Sequence, residues 1–136
     1  MNRPVTAAIL TAVALRCLIV DDNDAFREGA RDLLERQGLA VVGVAANIEQ
    51  ALQRASELQP DVMLVDIDLG EECGFDLVRR LAGDERLGHL RTVLISAYAE
   101  SDFADLIASS PAVGFLSKAS LSANAISSLL SGRPDT

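Results

Sequence analysis

The sequence predicts an α/β domain built on a doubly wound, five-stranded parallel sheet. Two observations carry that expectation. Short apolar, largely β-branched runs recur along the 136-residue chain at 15–20, 40–45, 62–65, 92–95 and 113–116. They are apolar throughout rather than alternating, which is the pattern of strands covered on both faces. Between successive runs lies a stretch of helical period, and alternating strands and helices imply right-handed crossovers between parallel neighbours.

Taken in order, the first strand, Leu15–Val20, ends in Asp21-Asp22. Phe26, Ala30, Leu33, Leu34 and Gln37 then share one helix face, with Asn23 or Asp24 as its cap and Gly38 as its stop. The second strand, Ala40–Ala45, leads to a cap at Asn47 and a helix through Ile48, Ala51, Leu52, Ala55 and Leu58 that stops before Pro60. The third strand, Val62–Val65, ends in Asp66, and after Gly74 a helix carries Phe75, Leu77, Val78 and Leu81. The fourth strand, Thr92–Ile95, ends in Ser96 and precedes a weaker helix over Glu100–Ala108, with Phe103, Leu106 and Ile107. The fifth, Val113–Leu116, ends in Ser117-Lys118, and a last helix from Ser122 to Leu130 carries Ala125, Ile126, Leu129 and Leu130.

Composition narrows the classes. Apolar residues make up 49% and charged residues 24% of the chain, as in a soluble globular domain. The aromatics are Phe26, Phe75, Tyr98, Phe103 and Phe115, with no Trp, so the core is expected to be aliphatic. A formal charge of −8 argues against nucleic acid as a direct partner. Cys17 and Cys73 make no disulfide framework, which favours a reduced, cytoplasmic setting, with Cys17 a small core residue. Arg3 followed by an apolar stretch to Leu15 has the outline of a signal peptide. It runs without a cleavage region into the first strand, however, and is too short to span a bilayer, so no membrane partner is expected. The expected division is an extension over 1–14, one domain over 15–131 and a tail over 132–136.

In doubly wound sheets ligands bind beyond the carboxyl ends of the strands. Four of the five strand ends here carry chemistry: Asp21-Asp22, Asp66, Ser96 and Lys118. Carboxylates gathered at one edge repel unless a cation joins them, and a hard ion such as Mg²⁺ suits an all-oxygen cluster. Lys118 would neutralise charge on an incoming phosphate, and Ser96 would hydrogen-bond one of its oxygens. Carboxylates act as nucleophiles toward phosphoryl groups, and Asp66, ending the central strand, is the best placed. Singly, each residue has a plainer explanation as a helix cap, turn or surface group. Their coincidence points to function.

These residues resemble the receiver domain of bacterial two-component response regulators over about residues 15–131. The family's acidic pair matches Asp21 and Asp22, and its phosphoacceptor matches Asp66, with the glycine eight positions on at Gly74. The switch Ser/Thr, thirty positions after the acceptor, falls at Ser96, and the lysine twenty-two further on at Lys118. The switch aromatic falls at Phe115, a residue without the hydroxyl of Tyr. Gly70 stands where the family often has Pro, and Ala119 where many members have a cis proline, as in relatives carrying helix-turn-helix output domains.

The resemblance implies a flavodoxin-like (βα)5 fold with strand order 2-1-3-4-5. It also implies Mg²⁺ held by Asp21, Asp22, Asp66 and the backbone carbonyl of Asp68. The phosphoryl group would come from a histidine kinase or small phosphodonor, with Ser96 drawn inward and Phe115 turning in behind it. That movement would switch the surface around the fourth helix, fifth strand and fifth helix toward a downstream protein or a phosphorylation-dependent homodimer. The protein would catalyse its own phosphorylation and dephosphorylation rather than turn over a substrate. Asp68 and Tyr98, each two residues past a site residue, would border the phosphate. Alternatives are a receiver-like interaction module that is not phosphorylated and the receiver half of a longer transcription regulator. A haloacid dehalogenase phosphohydrolase shares the Asp66-x-Asp68 strand end, but that family sets its acidic metal pair late in the chain, whereas Asp21-Asp22 comes first.

Overall fold

The computed structural model describes residues 15–132; the expected extension over 1–14 and most of the expected tail lie outside the described residues. Five parallel strands form the central sheet: β1 (Arg16–Val20), β2 (Ala40–Ala45), β3 (Val62–Asp66), β4 (Arg91–Ser96) and β5 (Gly114–Ser117). Their order is β2-β1-β3-β4-β5, the doubly wound arrangement expected from the sequence. The helices are α1 (Asp24–Arg36), α2 (Ile48–Leu58), α3 (Gly74–Ala82), α4 (Ala104–Ala108) and α5 (Ala123–Leu130). Among the described residues no helix is long and apolar enough to cross a membrane.

Strand residues of odd and even parity feed two separate cores, because successive side chains leave a strand on opposite faces. Leu18, Val20, Met63, Val65, Leu94 and Phe115 pack with α2 and α3 on one face. Cys17, Ile19, Val62, Leu64, Val93 and Ile95 pack with α1 and α5 on the other. The strand positions β1, β3 and β4 are therefore apolar on both sides, which explains their unbroken apolar runs.

Local chemistry ends the helices where the sequence places the stops. Asn23 caps α1, its side chain accepting from the N–H of Phe26 at 2.9 Å. At the other end Gly38 takes φ +99°, and the N–H groups of Gly38 and Leu39 return to the carbonyls of Glu35 and Leu34 at 3.1 and 3.0 Å. Asn47 caps α2 and Ser122 caps α5 in the same way as Asn23.

Two features differ from expectation. The stretch 100–108 is not one helix but a 3₁₀ turn, Glu100–Phe103, followed by the short α4. Neither piece has a side-chain cap or a buried residue, and only Phe103 and Ile107 reach the core, from its margin. Between β3 and α3 stands an unpredicted hairpin, Asp68–Leu69 against Glu72–Cys73. At the opposite edge, the β1–β2 pairing slips between Cys17 and Leu18, whose partners jump from Val41 to Gly43, so Val42 is an extra residue. Nearby, Arg54 Nη1 donates to the carbonyl of Val44 at 2.5 Å.

The two cysteines are free and differ in access. Cys17 is fully buried, and burial pushes its thiol up to about 12. Cys73 is half-buried. In folded protein at neutral pH, a disulfide reagent is expected to label Cys73 and leave Cys17 untouched until denaturant is added. Equal labelling of both thiols in the native state would contradict this packing.

Candidate functional site

Strand parity sorts the predicted residues before any contact is considered. Asp21 continues the Cys17–Ile19 series, Asp66 the Val62–Leu64 series, and Lys118 follows Leu116, all on the α1–α5 face. Ser96 follows Leu94 in parity and shares its face with Phe115, toward α2, α3 and α4. Both sets meet at the carboxyl edge, because Asp66 pairs with Ile95 and Ser96 with Ser117 in the ladder. Asp66 and Ser96 are the last residues of β3 and β4, whereas Asp21, Asp22 and Lys118 lie just past the ends of β1 and β5.

On the first face Lys118 joins two buried carboxylates. Its Nζ lies 2.6 Å from Asp21 Oδ2 and 3.0 Å from Asp66 Oδ2. Asp21 is 0% and Asp66 4% exposed. Asp21 Oδ2 thus faces the Lys118 ammonium as a buried ion pair. Asp21 Oδ1 accepts from the N–H of Asn23 at 2.8 Å, and Asp66 Oδ1 from the N–H of Asp68 at 3.1 Å. Asp22 is exposed, yet Asp21, Asp22 and Asp66 each offer an oxygen within 4.8 Å of the others. Three carboxylates against one ammonium leave negative charge in excess, and every donor is a carboxylate oxygen, so the donor set fits a hard dication.

Titration follows from this crowding. Burial pushes Asp66 up to about 6 from its ordinary 3.8, and Asp21 adds to the rise. The hydrogen bonds from Lys118 and the Asp68 amide oppose it without cancelling it. For Lys118 burial acts to lower the value, but its hydrogen bonds to Asp21 and Asp66 outweigh it and hold the ammonium protonated.

On the second face, Ser96 is buried and its Oγ accepts from the N–H of Tyr98 at 2.9 Å. Tyr98 itself is 60% exposed. Phe115 is 9% exposed and packed in the core, where a ring with no hydroxyl to seek water gains by burial.

The hairpin over the site accounts for Gly70. Asp68 pairs with Cys73 and Leu69 with Glu72, leaving Gly70-Glu71 as a two-residue turn. Gly70 takes φ +75°, which a proline ring forbids. A Cβ there would also come within 3.3 Å of Asp22 Oδ2. Glu72 Oε1 accepts from the N–H of Ile48 at 2.9 Å, tying the hairpin to the start of α2. Two residues with no site role in the sequence reading thus belong here: Glu72, and Phe26, whose ring centroid lies 4.3 Å from Lys118 Nζ.

The model of the response regulator receiver domain matches residues 17–130. The chain belongs to that family. Response regulator GacA of Pseudomonas viridiflava is 33% identical over 105 residues, covering 76% of this chain and 48% of GacA. The chain thus spans about half the length of that relative. A two-component response regulator of the LuxR family from Aurantimonas sp. SI85-9A1 superposes with a TM-score of 0.76 at 31% identity, covering 89% of this chain and 88% of that one. A response regulator from Burkholderia pseudomallei, solved with a phosphorylated aspartic acid, calcium ion and citrate, has a TM-score of 0.72 at 28% identity, covering 85% of this chain and 66% of its own.

Two predictions test the receiver site. Because the folded state raises Asp66 above its unfolded value, the native protein holds more protons between about pH 4 and 6 and loses stability as pH rises through that window. Asp66→Asn is expected to stabilise the metal-free protein by about 1–3 kcal/mol at pH 7 and by nothing near pH 4, measured by urea unfolding. No gain at pH 7 would refute the raised pKa. A Cβ at Gly74 would overlap the Asp66 carbonyl oxygen and lie 2.9 Å from its carbonyl carbon. Gly74→Ala should therefore cost about 2–4 kcal/mol in the same measurement.

Proposed function

We propose that this receiver domain accepts a phosphoryl group on Asp66 and uses it to control a partner. The observation that carries the proposal is the convergence of Lys118 on Asp21 and Asp66, with Asp22 close by. In the step, a carboxylate oxygen of Asp66 attacks phosphorus. The new O–P bond forms as the bond to the donor's leaving group breaks, and that group departs with its electron pair. The donor is the phosphohistidine of a kinase or a small acyl phosphate. Attack by water on the phosphorus later restores the carboxylate.

Asp21, Asp22, Asp66 and the backbone carbonyl of Asp68 would hold Mg²⁺, which when bound screens the charge between carboxylate and phosphoryl oxygens. Lys118 supplies a fixed positive charge to a phosphoryl oxygen, and Ser96 supplies a hydroxyl to another. Ser96 Oγ accepts the Tyr98 N–H while its own O–H is the donor to the phosphoryl oxygen. Drawing the hydroxyl toward the phosphoryl group would pull on Tyr98, at the start of the stretch leading to α4. The stretch is poorly anchored, with no buried residue in the 3₁₀ turn or in α4, as befits a segment that reorganises. Tyr98, Leu106 and Val113 are exposed on it and beside it. Leu106, 51% exposed, gives this surface an apolar contact for a downstream protein or a second copy. The phosphorylated aspartic acid in the Burkholderia pseudomallei relative supports the assignment of the acceptor.

Incubation with acetyl phosphate and Mg²⁺, followed by intact-mass measurement, tests the acceptor. Wild type should gain one phosphoryl mass that EDTA prevents, and Asp66→Asn should gain none. Equal labelling of the variant would place the acceptor elsewhere.

A further inference from the structure

Lys118 has three neighbours, and only two of them are carboxylates. The third is the face of Phe26, with its centroid 4.3 Å from Nζ. A lysine ammonium rides on a flexible four-carbon stem, so its place depends on what surrounds it. Phe26 is well fixed for that purpose. Its N–H donates to Asn23 Oδ1 at 2.9 Å, the N–H of Asn23 donates to Asp21 Oδ1 at 2.8 Å, and Asp21 Oδ2 meets Lys118 at 2.6 Å. The ring itself packs against the core beneath α1 and α5. Asp21, Asn23, Phe26 and Lys118 thus close a circuit of contacts.

We propose that Phe26 is a positioning residue that holds the Lys118 ammonium where a phosphoryl oxygen meets it. The inference rests on the reading of Asp66 as phosphoacceptor. Its physical basis is a difference between the three neighbours. Asp21 and Asp66 are the groups a dication and a phosphoryl group engage, so their pull on the ammonium weakens when the site fills. The ring face binds neither a metal ion nor an anion, and its attraction for the ammonium persists. Phe26 therefore holds the amine through the part of the cycle in which the carboxylates release it. Nothing in the helical spacing distinguishes this role from ordinary packing, since Phe26 also sits on the apolar face of α1.

Beryllofluoride, a phosphoryl mimic, supplies the test, titrated by calorimetry into the whole chain at saturating Mg²⁺. Phe26→Leu keeps apolar bulk without the ring, and Phe26→Tyr keeps the ring. The leucine variant should bind beryllofluoride about three- to tenfold more weakly. It should bind Mg²⁺ alone with unchanged affinity, and the tyrosine variant should match wild type on both. Unchanged beryllofluoride affinity in the leucine variant overturns the proposal, as does an equal loss in both variants or a matching loss of Mg²⁺ affinity. Should wild type not bind beryllofluoride at all, the phosphoacceptor reading fails. The Lys118 ε-methylene proton shifts then judge Phe26 separately. Ring-shifted upfield in wild type and Phe26→Tyr but not in Phe26→Leu, they uphold its hold on the ammonium; unshifted in wild type, they overturn it.

Discussion

One ammonium between two buried carboxylates governs this molecule. Asp21 and Asp66 lie on neighbouring central strands and are almost wholly shielded from water. Two negative charges so placed are costly to bury, and Lys118 offsets only part of the cost. The remainder of that imbalance appears in the raised pKa of Asp66. Such a site gains most from a cation or a positively polarised phosphorus. The sheet tolerates the imbalance because most of its remaining central-strand positions are apolar on both faces.

The same alternation that builds two cores also divides labour at the edge. Ionic groups fall on the α1–α5 face, while the serine and the aromatic fall toward the looser α4 side. Charge chemistry is thereby held by long, well-capped elements, whereas the side that would respond to it is held by few contacts. Asp66 and Ser96, on adjacent strands, bridge the two faces through the ladder.

The fold and the ionic site were legible because both follow from local rules. Unbroken apolar runs mark the strands, and Asn23, Asn47 and Gly38 take the caps and stop their side chains and φ freedom suit. Asp21, Asp22, Asp66, Ser96 and Lys118 sit at predicted strand ends, so topology alone assembles them. The hairpin was not legible, since its strands are two residues each and too short for any period. The contact of Phe26 with Lys118 joins distant parts of the chain, and its spacing already had an explanation in core packing.

The extra residue Val42 in β2 bears on how copies of this chain coexist at high concentration. Among the described residues β2 has only β1 as a neighbour, and its largely half-buried alanines and valines carry no charge to ward off another strand. A flat edge of that kind is a template for sheet growth. The slip at Val42 breaks the even spacing a second strand would need, and Arg54 already occupies the carbonyl of Val44. Protection against aggregation is thus written into the backbone of β2 and one arginine of α2.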